Sequence, residues 1–438
     1  MTASSTPAPP DLPPRNSRVI RSTPFFYGWV ILLVGMVGIV MMGPSQTFTV
    51  SLFIDHIVQD LGISRSVISL IYGIATLTAS FMLPLTGRLV DHFGARRMIV
   101  IDALSFGLAI MLLSQMRGPW TLLGMFLIVR FLGFGSMQLI SNTVIAQWFV
   151  RRRGLVMGIA GQSLAISLII YPALSSWLIG ELGWRMAWVA LGALALAIML
   201  PVGWIFFRDR PELYGLRPDG NAPTATELAD LNKEEHWTLI EARRTPIFWL
   251  FFIACASLSM ITAGLVFHQT SLFEVHGVDG GLTVMAFQLQ ALFSIIGNLG
   301  IGYLLDRAPT RKLLAVQMLC LSAVIVQMLF LRNTLNVIVY SALIGLTAGS
   351  FRVMDATVWA RYFGRLHIGS IRGATMIGTV GGTALGTYVL GLGYDLTGTY
   401  DTSLYALLAL PILIAIASFI VKRPPVKRPS AKTLTASS

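Results

Sequence analysis

Apolar stretches of about 20 residues or more alternate along this chain with short polar connections. The period is neither the strict alternation of a half-buried strand nor the single stripe of a surface helix. An α-helix that crosses a bilayer needs about 20 mainly apolar residues. Twelve stretches meet that need: 27–53, 66–87, 98–116, 119–147, 154–179, 186–207, 246–272, 282–304, 313–331, 334–360, 368–393 and 402–421. They predict twelve transmembrane helices and no soluble domain between them. The largest gap, 208–245, follows the sixth. The expected layout is therefore a tail (1–26), a six-helix bundle (27–207), a connection (208–245), a second six-helix bundle (246–421) and a tail (422–438). Within the connection, 226–244 reads as a short amphipathic helix, with a disordered linker as the other reading. The segment 1–24 is rich in Pro and Ser and lacks the order of a cleaved signal, so the first helix is expected to stay as an anchor.

Composition narrows the class. The chain has 438 residues, 55% hydrophobic and only 12% charged, with a mean hydropathy of +0.73. These values exclude disordered, collagen-like and disulfide-rich secreted chains. The net charge is nevertheless +12. A nucleic-acid partner would need Lys and Arg gathered on a soluble face, and here they stand in small groups between apolar runs. Lys and Arg collect on the cytoplasmic side of membrane proteins. With the N-terminus inside, 26 of the 32 fall in inner segments, four in outer segments (Arg65, Arg117, Arg185, Arg332) and two within helices (Arg130, Arg352). Both termini are thus read as cytoplasmic. Cys255 and Cys320 lie inside apolar runs and read as small buried hydrophobes.

The two halves repeat at an offset of 215. Gly87, Leu89, Asp91 and Arg96 match Gly302, Leu304, Asp306 and Arg311; Gly154 and Gly158 match Gly369 and Gly373; Gly183 matches Gly398. Parallel six-helix repeats are a transporter architecture with substrate near the midplane.

Between the second and third helices stands Gly87-Arg-Leu89-Val-Asp91-His-Phe-Gly94-Ala-Arg96. It resembles the signature G-x-L-x-D-x-x-G-x-R of the major facilitator superfamily, and 302–311 is a degenerate copy. The resemblance implies an all-α membrane protein of two pseudo-symmetric six-helix bundles, working by alternating access. Gly87 and Gly94 would permit close approach and a tight turn. Asp91 would latch the first half to the N-terminus of the eleventh helix, whose partial positive charge favours a carboxylate. Arg96 would orient Asp91, and Arg372 would join; the other reading is that these charges only set topology. Gly369, Gly373, Gly378, Gly381, Gly382, Gly386, Gly391 and Gly393 in the eleventh helix, with Gly154 and Gly158 in the fifth, suit close helix packing. Tyr27-Gly28-Trp29, Trp148–Gly154, Gly183-Trp184-Arg185, Arg210–Gly220 and Tyr362–Arg365 look, in this order, like the bacterial monocarboxylate/oxalate-formate branch. That branch implies proton-coupled or exchange transport of small organic anions. One departure is Asn298, where such transporters often carry an Arg in the eighth helix. A neutral amide can only hydrogen-bond a carboxylate.

Charged groups at depth are costly and default to function. Arg130 resembles the superfamily's Arg of the fourth helix. It could bind an anion, serve proton coupling, or hydrogen-bond carbonyls of the first or second helix. Arg352 and Asp355, three apart in the tenth helix, are either a closed neutral pair or an anion reader and a proton carrier. Asp102 lies nearer the rim and reads as structural. His268, Gln269 and Glu274 form either a wetted gate or, at Glu274, a second proton carrier. Uncharged candidates for a central cavity are Gln46, after the Gly43-Pro44 break, Gln162, Gln288, Asn298 and Tyr388. The six histidines are scattered, with no nucleophile, base or metal constellation, so no enzyme, cofactor or metal is expected.

The expected protein is a monomeric transporter of the inner (cytoplasmic) membrane that moves a small organic anion, in first place a monocarboxylate, with a proton. The rival reading is an exporter of a neutral or amphipathic compound by proton antiport, favoured by Asn298.

Overall fold

In hydrocarbon every backbone N–H and C=O must be satisfied within the protein, which leaves helices as the form for these apolar runs. A computed structural model describes residues 17–149, 152–218, 237–305, 307–363 and 368–421. Among them the regular structure is helical. The membrane-length helices are α1 (Gly28–Leu61), α2 (Arg65–Phe93), α3 (Ala95–Leu112) and α4 (Pro119–Trp148). Next come α5 and α6, continuous over Arg153–Phe206, and α7 (Pro246–Phe267). The last are α8 (Leu282–Leu305), α9 (Thr310–Leu329), α10 (Thr334–Phe363), α11 (Ile368–Thr397) and α12 (Asp401–Ile420). The α5–α6 run is two helices meeting at Gly183, whose φ of 76° departs from helical geometry. Counted so, the described residues hold the twelve predicted spans. Gly398, its partner in the sequence repeat, has φ 72°. The same offset joins Gly62 (φ 63°) to Gly277 (φ 74°), so the repeat extends to backbone geometry.

Two apolar cores form. One gathers α1–α6 around Phe53, Phe106, Trp148 and Trp188; the other gathers α7–α12 around Met318, Tyr340 and Trp359. Phe267 and Phe287 of the second half join the first core. Large apolar side chains such as Leu33, Phe81, Leu299 and Phe419 remain exposed, as a lipid-facing surface requires.

Glycine sets the helix spacing within the second half. A Cβ at Gly382 or Gly386 would collide with the carbonyl oxygens of Ala256 or Met260 on α7. One at Gly349 would collide with Ser294 on α8. In α5 a side chain at Gly158 would meet no described neighbour, and Gly154 lies outside the described side chains. Gly369 and Gly373 also lie outside them.

The helices place the Arg-rich connections at one end, the basic rim. At the opposite, far rim the halves are closed against each other. The Ser66 amide at the start of α2 donates to Asp395 Oδ2 at the end of α11 (2.9 Å). Ser69 and His268 lie 3.2 Å apart, and Tyr72 packs on Phe267. Among hydrogen bonds between described residues, one other joins the halves, from Arg352 to Gly161 deeper in the molecule.

Of the connection, 219–236 lies outside the described residues, and so does most of the expected helix 226–244. Its end is described. Leu239–Arg243 is a short helix begun by a reciprocal Thr238–Glu241 cap, and the Trp237 amide donates to the Phe363 carbonyl (3.0 Å).

Candidate functional site

The midplane of the first half is organised by a helix break. Pro44 removes a backbone donor, and α1 passes through a 3-10 turn at Gly43–Ser45. A Cβ at Gly43 would collide with the Tyr171 ring, so glycine lets α1 and α5 meet there. Thr49 returns a hydrogen bond to the Gly43 carbonyl (2.8 Å). The Ser45 carbonyl takes its bond from Arg130 Nη1 (2.7 Å), while Arg130 Nε donates to Thr76 Oγ1 (3.0 Å). The guanidinium lies 4.1 Å from the Phe134 ring centroid and 4.9 Å from that of Tyr72, and the residue is 2% exposed. Arg130 opens a π-helical segment, Arg130–Met137, in α4. Such segments often mark functional sites. The carbonyl bonding weighed from sequence is therefore present on α1, while on α2 the acceptor is a hydroxyl. Thr76 and Tyr72 carried no sequence signal, being ordinary residues of an apolar run.

Arg352 and Asp355 do not pair with each other. Asp355 accepts from Arg372 Nη2 (3.1 Å) and from the Trp359 indole (2.9 Å), and its carbonyl accepts from Arg372 Nη1 (2.6 Å). The Cys255 thiol donates to its Oδ1 (3.5 Å). This corrects the closed Arg352–Asp355 pair; any contact of Arg372 with Asp91 lies outside the described residues. Arg372 is engaged within the second half, with Asp355, and Asp355 is closed by a cation 17 residues away. Arg352 is left with a single long bond, Nη1 to the Gly161 carbonyl of α5 (3.4 Å). A guanidinium has five N–H donors, and no other described residue accepts from this one.

Uncharged polar atoms around the midplane are similarly open. Gln46 Nε2, Gln162 Oε1 and Asn298 Oδ1 are buried without a hydrogen-bond partner among the described residues. Buried polar groups are nearly always bonded, so such atoms mark places where water or a ligand completes the site. Tyr388 is half-buried. Gln288 corrects the sequence reading: it is exposed on the face of α8 that carries Leu292, Ile296 and Leu299. Gln290, two residues on, is buried and donates to Gln269 Oε1 (2.8 Å), which also accepts from Tyr340 (3.3 Å). A hydrophobic run without clear periodicity gives no rotation about the helix axis, so the inward Gln could not be chosen. Asp102 is 3% exposed, with Oδ2 unpartnered. Its repeat position is Gln317, buried and also with an open oxygen.

The far-rim group is dry rather than wetted. His268 is 1% exposed and Gln269 fully buried. His268 Nε2 donates to the Thr387 carbonyl (2.9 Å), and Tyr400 Oη stands 3.4 Å from Nδ1. Glu274 differs, since its side chain reaches solvent. Partial burial and the nearby Asp55 carboxylate push its pKa up, against the pull of Arg65.

At the basic rim the side chain of Asp91 lies outside the described residues, so its expected contact with α11 does too. Gly94 takes φ 83°, and a Cβ there would press on Asp209 Oδ1, which accepts from the Arg96 amide (3.1 Å). The tight turn is as expected. Among the described residues Gly87 meets no neighbour within 4 Å, and a close approach to the start of α11 would involve residues outside them. Arg96 turns to the Trp204 carbonyl (Nη2 2.7 Å) and stacks on that indole. Among the described residues no group of three His, Cys, Asp or Glu could hold a metal ion.

Residues 34–387 match the family model described as Major Facilitator Superfamily. The chain is 22% identical, over 80% of its length and 84% of the relative's, to an uncharacterized MFS-type transporter, YhjX, of Escherichia coli (strain K12). It is 23% identical to a gallate transporter of Pseudomonas putida over 90% and 91% of the two chains. In fold it is similar to the nucleoside transporter NupG, with a TM-score of 0.68 and 15% identity over 90% of this chain and 99% of that one.

Proposed function

The chain belongs to the Major Facilitator Superfamily, and from that premise we propose that it carries a small organic anion, in first place a monocarboxylate, together with a proton. It is a multi-pass membrane transporter and not an enzyme. The reading places the basic rim at the cytoplasm of a bacterial inner membrane. The bundles 27–207 and 246–421 would rock about the substrate, and the closed far rim is then the periplasmic gate of an inward-facing state.

The observation that carries the anion reading is Arg352. It reaches across the halves, to the Gly161 carbonyl at 3.4 Å, with its remaining donors unused by described residues. A carboxylate takes charge-assisted bonds from a guanidinium about twice as strong as neutral ones. Gln162, next to Gly161 in the chain, and Asn298 and Gln46 offer open amide atoms for the rest of the substrate. Asn298 thus assists where the usual arginine is absent, and Arg352 supplies the charge. Arg130 holds the α1 break in place. Asp355 is the proton carrier of this scheme: protonation would release Arg372, which stands near the start of α11 where Asp91 is expected to latch. The likeness to a gallate transporter, itself named for an organic acid, supports the substrate class.

The test is uptake of labelled monocarboxylates and aromatic carboxylates by proteoliposomes, with and without an inward-acidic gradient. Uptake that grows with the gradient is expected. If no carboxylate enters under either condition, the anion reading is wrong and export of a neutral compound takes its place.

A further inference from the structure

At the basic rim, away from the midplane, the segment before α1, the first turn of α3 and the residues after α6 enclose a cavity of about 810 Å³. Its walls carry Arg18, Arg96, Arg97, Arg208, Arg210 and His92. Asp209 is the one carboxylate among the lining residues. No described ion pair joins any of these five arginines to a carboxylate. Arg208 is the most enclosed, at 4% exposure. Its Nε donates to Ser17 Oγ (3.1 Å) and its Nη1 to the Phe207 carbonyl (2.6 Å), which leaves donors over. Burial lowers its pKa, against the pull of Tyr27, and the like charge of Arg96 lowers it further, with Asp209 opposing. A buried charge is costly unless it is paired. Arg208 is buried, Arg96 half-buried, and Arg18, Arg97 and Arg210 are exposed around the same space, so five positive charges converge on it against the single carboxylate of Asp209.

The surroundings identify the counter-ion. Trp204, Ile205 and Phe206 at the end of α6 and Phe93 at the end of α2 are exposed beside the cavity, Trp204 at 64%. Aromatic side chains at helix ends are the mark of the membrane–water interface. A ligand here meets arginines on its polar side and bilayer on its apolar side. Free phosphate would use only the first of these.

We propose that this cavity binds the phosphate headgroup of an anionic phospholipid, with the acyl chains lying along the exposed end of α6. The lipid neutralises the arginine cluster and ties the end of the first six helices to the start of α3. It is separate from the transported substrate, which binds at the midplane.

The test is native mass spectrometry of the full chain in detergent, with phosphatidylglycerol, phosphatidylcholine or inorganic phosphate added. Phosphatidylglycerol adducts should dominate over phosphatidylcholine adducts. Each arginine near a membrane surface contributes about fivefold to anionic-lipid binding. Arg97→Gln should thus weaken phosphatidylglycerol retention about fivefold, and Arg18→Gln with Arg97→Gln about 25-fold. Neither side chain donates a described hydrogen bond, so lipid-free thermal stability should hold. Arg208→Gln should act in the same direction, but it also loses the Ser17 and Phe207 bonds, so the Arg18 and Arg97 variants decide. Equal retention of the two lipids, or retention unchanged in the double variant, overturns the proposal. Inorganic phosphate raising the melting temperature as far as phosphatidylglycerol overturns the lipid assignment.

Discussion

Two arginines stand within the membrane, one in each half, and their surroundings differ. Arg130 is sealed between Tyr72 and Phe134 and bonded to α1 and α2. Among the described residues Arg352 has one long bond, and that bond crosses to the other half. A sealed, bonded guanidinium fixes geometry. A guanidinium with spare donors between two moving bodies can take a ligand. On the proposed function, the same residue type at similar depth would therefore have two roles, set by how many of its donors the protein already uses.

The comparison can be broken most directly at Arg352. Arg352→Gln keeps a donor but removes the charge, and should lower carboxylate uptake by about a hundredfold, equivalent to about 3 kcal/mol for a charge-assisted pair. Thermal stability should change little. Full uptake by this variant, with an uptake-dead but well-folded Arg130→Gln, would reverse the two roles.

Arg130→Gln tests the other side. It leaves the buried Ser45 carbonyl without its partner, a loss of about 2–3 kcal/mol, read as a lower melting temperature. Uptake per folded molecule should fall far less than in Arg352→Gln.

Asp355→Asn sharpens the contrast within the second half. It removes the charge that holds Arg372 and mimics the protonated state. Uptake at neutral pH should persist, and its dependence on an acidic outside should disappear. Retained pH dependence would move the proton elsewhere.

The smallest effect is expected at Glu274, outside the membrane helices. Its raised pKa means the folded protein holds this proton to higher pH than the unfolded chain does. Wild-type stability should thus fall relative to Glu274→Gln as pH rises through and above the ordinary glutamate range. Melting curves from pH 4 to pH 7 would show the gap, and a gap of opposite sign would mean the carboxylate is stabilised.

Much of the fold was legible because its signals are local or additive. Apolar run length fixes a span, and the repeat of Gly183 and Gly398 returned as paired left-handed junctions. The Gly43-Pro44 break likewise appeared where proline demanded it. Partners were less legible. Arg352 and Asp355 share a helix at a spacing that permits contact, yet Asp355 closes on Arg372 from α11. Nothing in the spacing could weigh a neighbour brought in by packing. Gln288 and Gln290 differ by the rotation of α8, which an almost uniformly apolar sequence leaves open. His268 read as wetted because it ends an apolar run, but the closed far rim buries it.

The sequence by itself thus determined the twelve spans, the sorting of charge to one rim and the depth of the two arginines. Each follows from the free energy of placing one residue, or one run, in lipid or water. Only the tertiary structure decided which guanidinium is free, which carboxylate is paired and which rim is shut. Those depend on distances between helices remote in sequence, and on donors and acceptors that a single chain position does not reveal.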